Sequence, residues 1–304
     1  MDNLCHTLVG AALGEAGLKD RTRFGAATLM VAANLPDVDV LVFATSTSSV
    51  AFRRGWTHGP LAQFALPLVL TGIMVLIARR SRTQPEAVAI RPGWVFILAL
   101  AGVLSHVALD LLNTYGLRIL APFNWQWFYG DALFIIDPWL WVLLGAGIWI
   151  ARRSHGRYPA RQALTVMLLY IASMTMNARL ARGMVLQEWR VEYGGAPAAL
   201  MVGPVPINPF RKQVIIDDGL GYVTGTFDWL GGGVQLGPDI VPKNDDDPRV
   251  PRAREDPRVR GFLVWSRFPF WTFEETADGT RVTVGDMRFG GQTPARFEVS
   301  TVVR

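Results

Sequence analysis

His106-Val107-Ala108-Leu109-Asp110 sets an imidazole and a carboxylate four residues apart inside a strongly apolar stretch. On a helix, that spacing puts both groups on one face. Such a pair can chelate one metal ion, bridge two, or simply hydrogen-bond to each other. Asn34-Leu35-Pro36-Asp37-Val38-Asp39 breaks a second apolar stretch and aims two carboxylates from the break. Trp56-Thr57-His58-Gly59-Pro60 offers a histidine just before a third, Asp137 opens a fifth, and His6 lies within the first. Each of these has a plain reading as a turn, a cap or a polar pair. Together, Asp37, Asp39, Asp110 and Asp137 bring enough negative charge to be neutralised by two divalent cations. Imidazole with carboxylate suits zinc, with manganese or iron as alternatives. Paired ions activate water and stabilise attacking and leaving oxygens, which is hydrolytic chemistry, most naturally on a phosphoester.

The elements that must hold these residues follow from composition. The chain has 304 residues, of which 50% are apolar and 18% charged. One cysteine excludes a disulfide scaffold, a four-cysteine zinc site and a cysteine-pair redox motif. The apolar residues concentrate in residues 1–178. A bilayer core takes about 20 apolar residues per helix. Leu61 to Ala78, Gly93 to Leu112, Leu133 to Ala151 and Ala163 to Ala178 meet that need. Phe24 to Ala44 is long enough but interrupted, and residues 3–18 form a shorter stretch. The expected fold is therefore an α-helical integral membrane domain of about six segments, followed by a β-rich soluble domain. The divisions are 1–178 for the membrane domain, 179–210 for a connector and 211–304 for the β-rich part.

The net charge of +5 is explained by topology. Lys19, Arg21, Arg23, Arg79, Arg80, Arg82, Arg91, Arg152, Arg153, Arg157 and Arg161 fill alternate loops, whereas the intervening loops hold Arg53, Arg54 and Arg118. By the positive-inside rule, the first set faces the cytoplasm and the 211–304 domain is extracytoplasmic. Nucleic-acid binding loses its compositional support. Trp125, Trp127, Phe128, Tyr129, Trp139 and Trp141 form an aromatic belt at the outer boundary. On this topology His6, Asp37 with Asp39, His58, His106 with Asp110, and Asp137 all lie near the outer level. An aspartate at a helix centre in lipid costs roughly 2.5–3.5 kcal/mol, so such residues face an interior and have a task. His155 falls in a basic loop, Glu15 lies on the inner side, and Cys5 reads as packing.

In the C-terminal part, Gln213 to Asp217, Gly221 to Trp229, Phe262 to Glu275, Arg281 to Phe289 and Ala295 to Val303 read as strands. Asp278-Gly279 reads as a hairpin turn. Asn244 to Arg260 reads as a solvated loop, and Pro204, Pro206 and Pro209 as a rigid entry.

Met1-Asp2 with His6, the Asn34 to Asp39 run, Arg54-Gly55-Trp56-Thr57-His58, His106 with Asp110, and Ile136-Asp137-Pro138 resemble the YdjM-type membrane-bound metal-dependent hydrolases. The resemblance covers residues 1–178. It implies distant similarity to zinc-dependent phospholipase C and the zinc nucleases, hence a phosphoesterase. Arg53-Arg54-Gly55 stands where the family often has His-Arg-Gly, which makes Arg53 and Arg54 candidates for binding a substrate phosphate. The expectation is an integral protein of the bacterial inner membrane, acting on a lipid or lipid-linked phosphoester. One or two Zn2+ (or Mn2+ or Fe2+) would be held by His6, Asp37, Asp39, His58, His106, Asp110 and Asp137. Asp37 and Asp131 are the candidate proton-handling carboxylates. An ion- or proton-coupled transporter and a non-catalytic scaffold with an outward binding domain are the alternatives. A transporter predicts ionisable residues at several depths; a scaffold predicts that the histidines are dispensable.

Overall fold

The computed structural model describes residues 1–45, 48–81, 88–289 and 297–304. Arg82 of the basic set, and the start of the strand expected from Ala295, lie outside the described residues. The chain divides into two units. One comprises Met1–Asp39, Arg54–Asn177 and Pro204–Pro209; the other comprises Val40–Arg53, Ala178–Gly203 and Phe210–Arg304.

In the first unit, α1 (Asn3–Glu15) begins where Asp2 accepts the Leu4 and Cys5 amides. It ends at Ala16-Gly17, the glycine adopting φ +118°. α2 (Gly25–Ala32) breaks at Ala33-Asn34 into a 3-10 helix (Leu35–Ala44) bent by 49°. Pro36 is the reason, since in a continued α2 it could not donate to the Ala32 carbonyl and its ring would clash there. A short α3 (Ser49–Phe52) belongs to the second unit. α4 (Pro60–Arg80) and α5 (Pro92–Asp110) start on proline, the favoured first helical residue. α6 (Pro138–Ser154) does likewise behind Asp137, and α7 runs Tyr158–Tyr193.

Among the described residues, three helices are long and apolar enough to cross a membrane: α4, α5 and α7. The bent α2 pair makes a fourth if counted as one span. The expected six segments are corrected to these. At 1.5 Å per residue, α1 reaches about 20 Å and α6 about 26 Å, both short of the roughly 30 Å hydrocarbon core. The loop through Leu133 and Ile136 delays α6 until Pro138, and the expected span from Ala163 to Ala178 lies mostly in the N-terminal half of the longer α7. Ion pairs tie the arginine-bearing ends together: Arg152 with Glu15 at 2.8 Å, and Arg157 with Asp20 at 2.9 Å. Glu15 also pairs with Lys19.

Two glycines bring α1, α2 and α5 together. A Cβ at Gly10 would lie 2.8 Å from the Leu29 carbonyl oxygen. One at Gly102 would lie 3.0 Å from that same oxygen and 2.6 Å from Ala32 Cβ. Backbones this close need small residues, as is common between membrane helices. His6 and His106 each sit one turn beyond their glycine, toward the break after α2. Met1, Cys5, Val9, Leu109, Leu140 and Leu144 form the adjoining core, with Met167 and Met174 of α7.

In the second unit, four strands form a sheet in the order β1 (Ala199–Pro204), β2 (Arg211–Asp217), β3 (Gly221–Asp228), β4 (Gly233–Pro242). β2, β3 and β4 pair antiparallel. Ala181, Val185 and Trp189 of α7 pack on its face against Val214, Ile216, Val223 and Phe227. A second antiparallel sheet holds β5 (Pro269–Thr276), β6 (Gly279–Asp286) and β7 (Glu298–Val303), with the expected turn at Gly279, φ +133°.

Residues 244–260, expected as a solvated loop, instead contain α8 (Val250–Ala253) and the start of α9 (Pro257–Trp265). The strand expected from Phe262 begins at Pro269. Asp256 caps α9 through the Arg258 amide, with Pro257 at its first position. Val259, Phe262 and Trp265 then recur every third residue on one buried face. Such a short helix lacks the length to show its period against β-favouring side chains.

Candidate metal centre

Asp37, His58, His106 and Asp110 converge in the helical unit, each offering a ligand atom within 4.8 Å of every other. The bend after α2 presents Asp37, the segment before α4 presents His58, and the last turn of α5 presents His106 and Asp110. His58 Nε2 lies 3.2 Å from His106 Nε2 and 3.7 Å from Asp110 Oδ2. His106 Nε2 lies 3.7 Å from Asp110 Oδ2 and 3.9 Å from Asp37 Oδ1. A tetrahedral ion with bonds of about 2.1 Å separates its ligand atoms by about 3.4 Å. All four side chains are buried.

The hydrogen bonds suit a cation. His106 Nδ1 is 2.8 Å from the Ala33 carbonyl oxygen, which can only accept. The proton therefore sits on Nδ1, and the Nε2 lone pair points into the cluster. Asp110 Oδ2 is buried and accepts no well-formed hydrogen bond. A buried carboxylate oxygen in that state is costly without a positive partner. Arg54 Nη2 stands 3.1 Å from it.

The other expected residues fall in distinct places. His6 stacks on His106, centroids 3.9 Å apart. Its Nε2 lies 3.3 Å from Asp110 Oδ1 and 3.2 Å from the Met1 carbonyl oxygen. The Met1 amino group also pairs with Asp110 Oδ1. His6 thus flanks the four without joining them. Asp39 lies behind His58, accepting from the Arg54 amide at 2.8 Å and the Thr57 hydroxyl at 3.0 Å. Asp137 caps α6 through the Trp139 and Leu140 amides and accepts the Tyr170 hydroxyl at 2.9 Å. Asp131 lies outside the four, half-buried in the loop before α6 with φ +49°. Arg54, also left-handed at φ +58°, turns its guanidinium to Asp110 and to Asn113 Oδ1 at 3.1 Å. Arg53 belongs to the other unit, its guanidinium over the Phe43 ring.

Several contributors carry little sequence signal. The Ala33 carbonyl has none. Asn113 joins through Arg54. Arg118, counted only as a loop charge, donates its amide to the Arg54 carbonyl at 2.9 Å, and its guanidinium lies 4.9 Å from the Trp125 ring and 4.5 Å from the Trp127 ring. Thr57 stands beside His58 in the Trp56-Thr57-His58 motif.

The YdjM inner membrane protein family model matches residues 1–181, so the chain belongs to that family. The chain is also similar to the uncharacterized protein YfhP of Bacillus subtilis (strain 168), with 25% identity over 95% of this chain and 87% of the relative. No solved structure matches. The implied likeness to zinc phospholipase C and the zinc nucleases rests on the motifs alone. The chain is thus an inner-membrane-family protein with apolar helices suited to a bilayer and a buried group able to hold a metal ion.

Proposed function

We propose that this YdjM-family chain is a membrane metallohydrolase that cleaves phosphoesters at the Asp37–His58–His106–Asp110 centre. The observation that carries the reading is the convergence of two imidazoles and two carboxylates, all buried, at ligand–ligand spacing. A divalent ion held there, zinc by its donor set, supplies Lewis acidity and makes water nucleophilic near neutral pH. The chain's own residues supply the rest. The Ala33 carbonyl, by holding the His106 proton on Nδ1, would leave the Nε2 lone pair free for the ion. Arg54, fixed by Asn113 and over the Tyr115 ring, offers a fork for a phosphate oxygen. Asp37 has the least buried carboxylate of the four and is the group best placed to take a proton from water.

The substrate class in this reading is a lipid or lipid-linked phosphoester. Its support is the bilayer setting of the helices and the exposed aromatic side chains of the same unit: Trp56, Phe123, Trp125 and Trp139. The basic loops favour an outward-facing site, with the 211–304 domain outside as well.

Purified protein in nanodiscs, given a panel of phosphomonoester and phosphodiester lipids, tests the reading. It predicts turnover of at least one class, abolished by chelation and by His106→Ala. No turnover across the panel by metal-loaded protein would count against a phosphoesterase.

A further inference from the structure

We infer that Asp39 and Thr57 form a positioning relay that holds His58 in the ligand tautomer, so that Asp39 serves the centre from behind the histidine. The inference rests on the metal-centre reading above and deepens it. Asp37 and Asp39 sit two residues apart in a 3-10 helix. With three residues per turn, their side chains leave the axis about 120° apart, so they address different targets. Asp37 reaches the cluster. Asp39 reaches the back of the His58 ring, 3.7 Å from Nδ1.

Thr57 Oγ1 lies between them, 3.0 Å from Asp39 Oδ2 and 2.9 Å from His58 Nδ1. The hydroxyl has one proton, and an ionised carboxylate has none. If the hydroxyl donated to Nδ1, two oxygens would face each other at 3.0 Å with no proton between them. The hydroxyl therefore donates to Asp39 and accepts from Nδ1–H. The Arg54 amide, 2.8 Å from the same carboxylate oxygen, holds Asp39 in place. His58 Nε2 is left with its lone pair facing His106 Nε2.

Both histidines are thus set from behind, one by a carbonyl and one by a carboxylate acting through a hydroxyl. Two lone pairs at 3.2 Å repel unless a cation lies between them. Outer partners of this kind fix ring orientation and raise ligand basicity.

The test is titration of full-length protein in nanodiscs with Co2+ alone, read by its visible ligand-field spectrum. Thr57→Val keeps shape and removes the hydroxyl. It should weaken Co2+ binding on the order of 10- to 100-fold, while Thr57→Ser stays near wild type. Asp39→Asn should bind more weakly but, once saturated, keep the wild-type band positions, because the coordinating atoms are unchanged. Wild-type affinity in Thr57→Val, or shifted bands in Asp39→Asn, would overturn the relay. Nitrogen NMR of the wild-type imidazoles gives an answer independent of variant folding. The metal-free protein should show His58 protonated at Nδ1, and an unprotonated Nδ1 would overturn the inference. Hydrolysis enters none of these readouts, so a wrong substrate class leaves them standing. Failure of the wild type to take up Co2+ would overturn the metal reading and the relay with it.

Discussion

His58 Nε2 and His106 Nε2 face each other across 3.2 Å, both rings fully buried. His58 arrives on the segment before α4 and His106 on the last turn of α5, with Asp110 Oδ2 3.7 Å from each. An apolar membrane domain gains nothing from packing two imidazoles and a carboxylate this way for stability alone. An ion at their centre would draw all three toward one positive charge.

Asp110→Asn should destabilise the protein even without metal. The Arg54 guanidinium is buried against Asp110, and removing one partner of such a pair costs about 3–5 kcal/mol. Thermal unfolding of chelated wild type and variant in the same detergent checks this. An unchanged midpoint would mean that Arg54 finds another acceptor.

Gly102→Val should disrupt the centre from a distance. A Cβ there already meets Ala32 Cβ at 2.6 Å, so two further methyls drive α5 from α2. Overpacking of this kind costs about 1–3 kcal/mol. His106 would also move off the Ala33 carbonyl. Lower stability together with weaker Co2+ binding is the expected pair of results; Gly102→Ala should show both more mildly.

Arg54→Lys should separate charge from geometry. Lysine keeps the charge but loses the two-pronged donor and its place over Tyr115. If Arg54 binds the substrate phosphate, KM should rise about tenfold or more, one charge-assisted hydrogen bond being worth about 1.5–3 kcal/mol. Steady-state kinetics on the substrate found in the lipid panel reads it out.

Lys212→Met should stabilise the β-rich unit near neutral pH. Lys212 is almost wholly buried on the same face of β2 as Val214 and Ile216. Burial pushes its ammonium down to about 8, against about 10.4 for a free lysine. Between those values the unfolded chain binds the extra proton, so wild-type stability rises with pH across that window. Below about 8 the folding penalty is complete. The variant's advantage, about 1–3 kcal/mol at pH 7, should therefore shrink toward pH 10. Thermal scans of the full chain at both values check the direction.

The helices that carry most of the site could be read directly. α4 and α5 stand out because an uninterrupted apolar run has few other uses, and the four residues that cluster are all among the seven expected. What expected depth alone could not do was sort them. His6, Asp39 and Asp137 are expected at the same level as the four, but a stacked ring, hydrogen bonds behind His58 and a helix cap separate them from the cluster, and those are matters of ångströms and rotation. The split between Asp37 and Asp39 depends on a 3-10 winding that a proline announces only as a break. α1 and α6 passed as spans because hydropathy counts apolar residues without knowing where a cap ends the helix. The helix α9 was hidden by Phe262, Val264 and Trp265, which favour strands, until Asp256-Pro257 is read as its start.

The most direct test is the metal content of the full-length protein, purified without chelator and measured alongside His58→Ala and His106→Ala. A metal centre at these residues predicts at least one tightly bound divalent transition metal per wild-type chain and loss of that metal in both variants. Wild-type protein that carries none, and takes up none when offered zinc, manganese, iron or cobalt, would contradict it.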